Sequence, residues 1–139
     1  MATDTRLEAS LLLMRVAIAA FLLVWALDKV IAPEHARAVF SHFYFVPDAA
    51  PLILKAVGIL QIGIVLAFGA GFARSWTYGA VLLMHAASTA STYAHLVAPW
   101  AEGSQLLFWA AVPVLAAVIA LFLLRDRDRL LSIDAALAR

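Results

Sequence analysis

The fold is decided by residues 10–31, which read SLLLMRVAIAAFLLVWALDKVI. Nearly every position in this stretch is apolar, and Ala, Leu and Val dominate it. A helix needs roughly 20 mostly apolar residues to cross the hydrocarbon core of a bilayer. The stretch therefore predicts a membrane-spanning helix that the chain retains.

Three further stretches, 52–73, 76–97 and 104–124, have the same character. The chain of 139 residues is 65% hydrophobic and 14% charged, whereas soluble domains are about 45–50% apolar and about 25% charged. Only helices and closed barrels span lipid, and residues 106–124 lack the alternation of barrel strands. We expect an all-α fold, a single-domain integral membrane four-helix bundle over residues 1–139.

Charge and cysteine content exclude several classes of function. The formal net charge is +1, so no polyanion-binding surface is expected and nucleic acid is not an expected partner. The chain has no cysteine, which excludes disulfide scaffolds, thiol–disulfide exchange and thiolate-ligated iron–sulfur clusters. Any redox chemistry must use a bound cofactor or another subunit.

The cations indicate the orientation of the predicted spans. Seven of the ten lie near the termini or in the turn between the second and third spans. These seven are Arg6, Arg15, Arg74, Arg125, Arg127, Arg129 and Arg139, and the opposite side holds Lys29, Arg37 and Lys55. The positive-inside rule then places both termini in the cytoplasm, with Arg15 snorkelling to that interface. The tail 125–139 is basic at first, and the helical spacing of its later apolar residues, Leu130, Ile133 and Leu137, predicts a short amphipathic helix on the cytoplasmic leaflet.

A polar stripe marks the third predicted span. His85, Ser88, Thr92 and His95 follow spacings of three, four and three, which places them within an arc of about 80° on a helix. Such a stripe should face the interior of the bundle, where His85 near the midplane is a candidate functional residue. Gln61 is predicted at a similar depth and is expected to hydrogen-bond to His85. The alternatives are helix-packing contacts for the hydroxyls and a satisfied core position for the histidine.

Further polar candidates are predicted at the outer end of the bundle, namely Asp28, Lys29, Tyr93 and His95. Asp28 and Lys29 are adjacent and point about 100° apart, so they cannot both face the same partner. Either one of them turns inward, with Lys55 as the counter-charge of Asp28, or the two are an ordinary pair of interfacial charges. Only one histidine is deep, so haem held by two histidines is not expected. No metal site is expected either, since no HExxH pattern occurs.

Residues 13–36, LMRVAIAAFLLVWALDKVIAPEHA, carry a family resemblance. An arginine in the first turns, aromatic residues in the apolar run, a lysine near its end and a following proline are similar to the DoxX-like membrane proteins. The matching positions are Arg15, Phe21, Trp25, Lys29 and Pro33, followed less specifically by Gly58, Gly63, Gly69 and Arg74. The sequence departs from the family at Ala26, where glycine is expected, and at Gln61, where glutamate is frequent.

The resemblance implies a small multi-pass protein of a bacterial inner membrane that works as a quinone-linked or redox-complex subunit. If it is enzymatic, it acts as an oxidoreductase component with a partner. The expected catalytic residues are His85 and Lys29, and the expected quinone-binding residues are Gln61, His85, Tyr93, Asp28 and His95. Two other functions stay open: a non-catalytic assembly subunit that docks a protein partner or a second copy through small residues, and a small-solute transporter.

Overall fold

The computed structural model describes residues 2–138, and every regular element in that range is a helix. The α-helices are α1 Ala2–Ile31, α2 Pro33–Phe43, α3 Pro51–Gly69, α4 Arg74–Ser91, α5 Tyr93–Val97, α6 Ala111–Leu123 and α7 Ile133–Leu137. A 3₁₀ helix, Leu106–Ala110, leads directly into α6. The expectation of an all-α fold is confirmed. Met1 and Arg139, which the predicted domain and tail include, lie outside the described residues.

The core joins the four longer helices. α1 packs against α3, α4 packs against α6, and contacts between α3 and α4 and between α1 and α6 complete the arrangement. The buried cluster at the centre consists of Leu11, Ile18, Leu22, Val65, Phe68, Tyr78, Val81, Val118 and Leu121. Apolar side chains from four helices therefore meet in one core.

The outer faces of the helices carry many large apolar side chains. Three helical stretches within the described range are long and apolar enough to cross a membrane: Thr5–Ile31, Pro51–Gly69 and Leu106–Leu123. Leu13 in α1 and Leu60 in α3 are 71% and 64% exposed, far from any loop. Large exposed apolar surfaces of this kind are costly in water and favourable in lipid. These helices have the character of transmembrane helices.

The first connection contains a helix that the sequence analysis did not predict. Residues 33–43 form α2, which begins with Pro33 in its first turn and has Glu34 beside it. A proline suits the first turn of a helix because its missing N–H would have no partner there, and an acidic residue complements the helix dipole. Ala36 packs in a small buried cluster with Leu54 of α3. The sequence did not predict α2 because this helix is short and charged, and it lacks the long apolar run by which the spans were identified.

The third predicted helix, 76–97, is interrupted at Thr92. α4 ends at Ser91 and α5 begins at Tyr93. Ser91 Oγ donates to the carbonyl of Ser88 at 2.7 Å, and Thr92 Oγ1 donates to that of Thr89 at 3.0 Å. Hydroxyls that bond to carbonyls of the preceding turn bend helices and compete with backbone hydrogen bonds. The run of Ser and Thr therefore ends α4 early.

The fourth predicted helix, 104–124, begins as a 3₁₀ helix and becomes α-helical only at Ala111. Pro113 consequently lies in the first turn of α6. The N–H groups of a first turn have no partner within the helix, so proline is tolerated there.

The second predicted helix, 52–73, ends at Gly69 as α3, four residues early. Gly71 adopts a φ of +64°, and Ala73 adopts the left-handed region with a φ of 49°. The N–H groups of Ala73 and Arg74 donate to the carboxylate of Asp134 at 2.9 and 2.8 Å. The carboxylate from the C-terminal segment therefore caps the start of α4, which its own N-cap side chain cannot do.

The C-terminal segment folds against the helix ends, and the short helix predicted within it is present. Only residues 133–137 are helical, as α7. The N–H groups of Ile133 and Asp134 donate to the carbonyls of Ala70 and Gly71 at 3.0 and 3.1 Å. The segment thus satisfies the carbonyls that follow α3, as a helix end requires.

Arg15 is fully buried and does not snorkel, contrary to expectation. Its Nη1 forms a close ion pair with Asp128 Oδ1 at 2.9 Å. Its Nη2 donates to the carbonyls of Leu130 and Leu131 at 2.8 and 3.0 Å. The OH of Tyr78 donates to Asp128 Oδ2 at 2.7 Å. A guanidinium inside an apolar helix needs an internal counter-charge, and the C-terminal segment supplies it.

Candidate functional site

A cavity of about 640 Å³ opens in the half of the structure away from the termini. It is walled by α1, α2, α4 and the helical stretch 106–114, and Gln61 is the contribution of α3. Most lining side chains are aromatic or aliphatic, with a few polar groups among them. Cavities of this size and character are typical of sites for small organic ligands.

Three of the predicted site residues line this cavity together: Lys29, Gln61 and His85. They come from α1, α3 and α4, so the tertiary structure brings together groups far apart in the sequence. Ser88 and Thr92 of the predicted polar stripe line it as well. Three of the four stripe residues thus face the cavity, as their helical spacing predicts, whereas His95 lies on α5 beyond the break at Thr92.

His85 is buried on the cavity wall and is held there by two contacts. It is 4% exposed, and its Nε2 donates to the carbonyl of Ala111 at 3.1 Å. The ring also meets Phe21 edge to face, with centroids 6.0 Å apart. Because the carbonyl can only accept, Nε2 carries the proton and Nδ1 is the acceptor of the neutral ring. The contact with Ala111 fixes both the tautomer and the orientation of the imidazole.

Gln61 does not form the expected hydrogen bond with His85, whose Nε2 donates to Ala111 instead. Its Oε1 is buried without a hydrogen-bond partner in the part of the chain that the structure describes. A buried amide oxygen left unpaired costs about 1–3 kcal/mol. A ligand in the cavity that let the amide turn and pair would recover that free energy.

Lys29 brings a positive charge to the cavity. Its Nζ donates to the carbonyl of Trp25 at 3.0 Å and lies 6.0 Å from the centre of the Phe40 ring. An ammonium group has three N–H donors, so Lys29 can bond both to Trp25 and to a ligand. Its stem packs beside Gly58, where an added Cβ would lie 2.9 Å from the Cβ of Lys29. Gly58 therefore sets how closely α3 approaches the lysine.

The other three predicted site residues do not line the cavity. The carboxylate of Asp28 accepts from His35 Nδ1 at 2.9 Å, so Asp28 and Lys29 face different partners. Tyr93 is exposed on α5. His95 Nδ1 and Ser104 Oγ are hydrogen-bonded at 3.1 Å, and the ring of His95 stacks on Phe108.

Aromatic residues of the cavity were missed by the sequence analysis. They are Phe21, Trp25, Phe40, Phe43, Tyr44 and Phe108. In an apolar chain, aromatic residues facing a cavity and those facing lipid have the same local pattern. The usable signal is the group Phe40, Phe43 and Tyr44, because these aromatic residues lie close together in the connection between the first two predicted spans.

The residues between 2 and 138 contain no group of three His, Asp or Glu that could hold a metal ion. No protein-family model, curated protein or solved structure matches this chain.

Proposed function

We propose that this chain is a four-helix membrane bundle with both termini in the cytoplasm. Its spans are the three apolar helical stretches described above and, in addition to them, α4. Support comes from the packing of α4 against both α3 and α6, two helices with the composition of spans. The polar residues of α4 face the interior, so they do not prevent it from lying in lipid. The excess of arginine on the side of the termini favours the cytoplasmic orientation.

Within this bundle the cavity binds the headgroup of a quinone. The observation that carries this proposal is the convergence of Lys29, Gln61 and His85 on one mostly apolar cavity of about 640 Å³. A quinone headgroup is a flat ring with oxygen atoms on opposite edges. It needs apolar and aromatic contacts for its faces and a small number of hydrogen-bonding groups for its oxygens.

The polar groups suit both oxidation states of such a ligand. Lys29 donates to a carbonyl oxygen, and the amide of Gln61 can either donate through Nε2 or accept through Oε1. His85 accepts the hydroxyl proton at Nδ1 as the oxygen becomes a carbonyl, and it returns the proton when the carbonyl is reduced to a hydroxyl. A quinone, when bound, supplies two-electron redox chemistry, and the electrons pass to or from a partner redox protein.

The resemblance to DoxX-like proteins points in the same direction. Some members of that family are linked to quinone reduction, which fits a redox-complex subunit of a bacterial inner membrane. Gln61 replaces the glutamate that is frequent there, so proton transfer in this chain falls to His85.

Binding of a decyl-substituted benzoquinone to the purified protein in lipid nanodiscs tests the proposal. Replacing Lys29 or His85 with alanine should weaken binding about 10-fold, the value of one good hydrogen bond in a dry site. Lys55→Ala is the matched control, because Lys55 is exposed at the same end of the bundle and does not line the cavity. No binding by the native chain, or equal losses for Lys29→Ala and Lys55→Ala, contradicts the proposal.

An assembly subunit is the second candidate, and Gly63 favours it. An added Cβ at Gly63 would meet nothing within 4 Å, and its neighbours Ile59 and Leu60 are exposed. Small residues on an open helix face allow close approach of another helix in lipid. Gly63→Leu should then abolish cross-linking to a partner or a second copy, and unchanged cross-linking contradicts this role.

A further inference from the structure

We infer that the cavity is entered sideways from the lipid and is closed to water, so that its ligand is membrane-borne and carries a long apolar chain. The headgroup in this inference is that of the proposed function; the route of entry rests on separate observations. Two sets of residues carry it: exposed apolar residues of the cavity wall, and an aromatic cluster at the end of the bundle.

Four large apolar side chains extend from the cavity wall to the outer surface of the bundle. Phe21 and Trp25 of α1 are 43% and 45% exposed, Leu83 of α4 is 72% exposed, and Leu107 is 82% exposed. Phe21 and Trp25 lie well inside the apolar stretch of α1. We call these four residues the portal. Lipid chains contact such a portal favourably, whereas water does not.

An aromatic cluster that includes two lining residues of the cavity lies at the end of the bundle, and we call it the roof. Its members are Phe43 of α2, His95 of α5 and Phe108 of the 3₁₀ helix. His95 and Phe108 stack with centroids 4.2 Å apart, and Phe43 lies 5.5 Å from Phe108. The hydrogen bond between His95 and Ser104 fixes the stack. The roof therefore joins three separate elements.

Phe43 and Phe108 of the roof also line the cavity, beside Phe40 and Tyr44, which stack at 4.9 Å. The rings that connect the elements are thus the same rings that close the cavity. A ligand with a long apolar chain can place its headgroup under the roof while the chain leaves through the portal. A water-soluble phenol or quinone would have to displace the roof.

Spin labelling tests both features, because the chain has no cysteine of its own. A nitroxide is placed at Ser88→Cys on the cavity wall, and collision rates with oxygen and with a neutral nickel chelate are compared in liposomes. Ile59→Cys, on an exposed apolar face, is the lipid control. Asp48→Cys, in the exposed connection before α3, is the water control. Each variant must retain the helical content of the native chain.

The label at 88 should behave like that at 59, with oxygen collisions several-fold more frequent than nickel collisions. Phe108→Ala should raise nickel collisions at 88 several-fold and leave those at 59 unchanged. Nickel access at 88 equal to that at 48 with the roof intact overturns the inference, as does a label that neither reagent reaches. Unchanged nickel access in Phe108→Ala overturns the assignment of the roof.

The same labels separate this inference from the proposed function. Adding a decyl-substituted benzoquinone should lower oxygen collisions at 88 and not at 59. If oxygen access is high and the quinone has no effect, the lipid entry stands and the quinone assignment fails. A second measurement needs no label in the cavity. Trp25 is kept as the sole tryptophan, and the other tryptophans are replaced. Brominated lipid should quench its fluorescence and aqueous iodide should not; the reverse pattern overturns the inference.

Discussion

Arg15 Nη1 and Asp128 Oδ1 lie 2.9 Å apart, and both side chains are fully buried, although 113 positions separate them in the sequence. The OH of Tyr78 donates to the second carboxylate oxygen. The cluster of Arg15, Tyr78 and Asp128 links the C-terminal segment to α1 and α4. It lies at the end of the structure opposite the cavity, and the apolar core separates the two.

Removing the carboxylate should destabilise the protein strongly. Asp128→Ala leaves the Arg15 guanidinium buried without a counter-charge, which costs about 3–5 kcal/mol. Asp126→Ala is the control, since Asp126 is exposed two residues away and surface changes stay within about 0.5 kcal/mol. Thermal unfolding in detergent followed by circular dichroism measures both. Similar melting temperatures for the two variants would refute the structural role of the pair.

Tyr78→Phe tests the third member of the cluster with little change in shape. The variant keeps the ring that meets Phe68 at 4.8 Å and removes only the hydroxyl that donates to Asp128 at 2.7 Å. We expect a loss of about 1.5–3 kcal/mol, the range for hydrogen bonds to charged groups. The same unfolding measurement applies, and an unchanged stability of Tyr78→Phe would show that the ring of Tyr78, not its hydroxyl, stabilises the cluster.

Two glycines of α3 should respond oppositely to alanine. A Cβ at Gly58 would lie 2.9 Å from the carbonyl oxygen of Ala26, so Gly58→Ala must push α1 away, at a cost of about 1–3 kcal/mol. At Gly63 the space is open, and alanine should stabilise the helix by about 0.5–1 kcal/mol. Quinone affinity should fall in Gly58→Ala, because Lys29 packs at the same contact. Equal effects of the two substitutions would contradict the packing described.

The docking of the C-terminal segment should depend on pH through Asp134. Burial of this carboxyl opposes its ionisation, but the backbone N–H groups of Arg74 and Ala73 and the charge of Arg74 outweigh that and hold its pKa below the usual range. A depressed pKa in the folded state means that the stabilisation is complete above the usual carboxyl pKa, about 3.9. It is lost as the pH falls through the lower, folded-state pKa.

Amide hydrogen exchange at Ala73 and Arg74 measures this docking. After correction for the intrinsic exchange rate, protection should be constant above about pH 5 and should fall as the carboxyl protonates. Asp134→Asn is the control: it should show weaker protection that does not change with pH over this range. Protection in the native chain that is independent of pH down to about pH 2 would show that the carboxylate does not hold the segment.

The sequence identified the interior-facing side chains better than it identified their partners. The spacing on α4 predicted that His85 faces inward, and the structure places His85 with Lys29 and Gln61 at one cavity. The hydrogen bond of His85 went to Ala111, because the 3₁₀ helix brings that carbonyl within 3.1 Å. Periodicity gives the direction of a side chain on its own helix, but it carries no information about the neighbouring helix.

For Arg15, too, the sequence predicted the helix that carries the residue but not the partners of its side chain. Hydropathy placed it correctly in an apolar helix and left its environment open, so snorkelling was the expected solution. The partner was a single aspartate in a segment whose arginines suggested a membrane-surface helix instead. A long-range ion pair of this kind has no local signature.

Composition alone predicts helices with apolar surfaces that face lipid. In a medium without water, every backbone N–H and C=O needs a hydrogen-bond partner within the protein, and a helix supplies these partners within its own stretch of chain. The cavity, the roof and the buried Arg15–Asp128 pair arise only when the helices pack, since each depends on groups that come from different parts of the chain. The local free energy of each stretch determines where helices form. The packing between helices determines which polar groups pair with each other, which stay unpaired and which are available to a ligand.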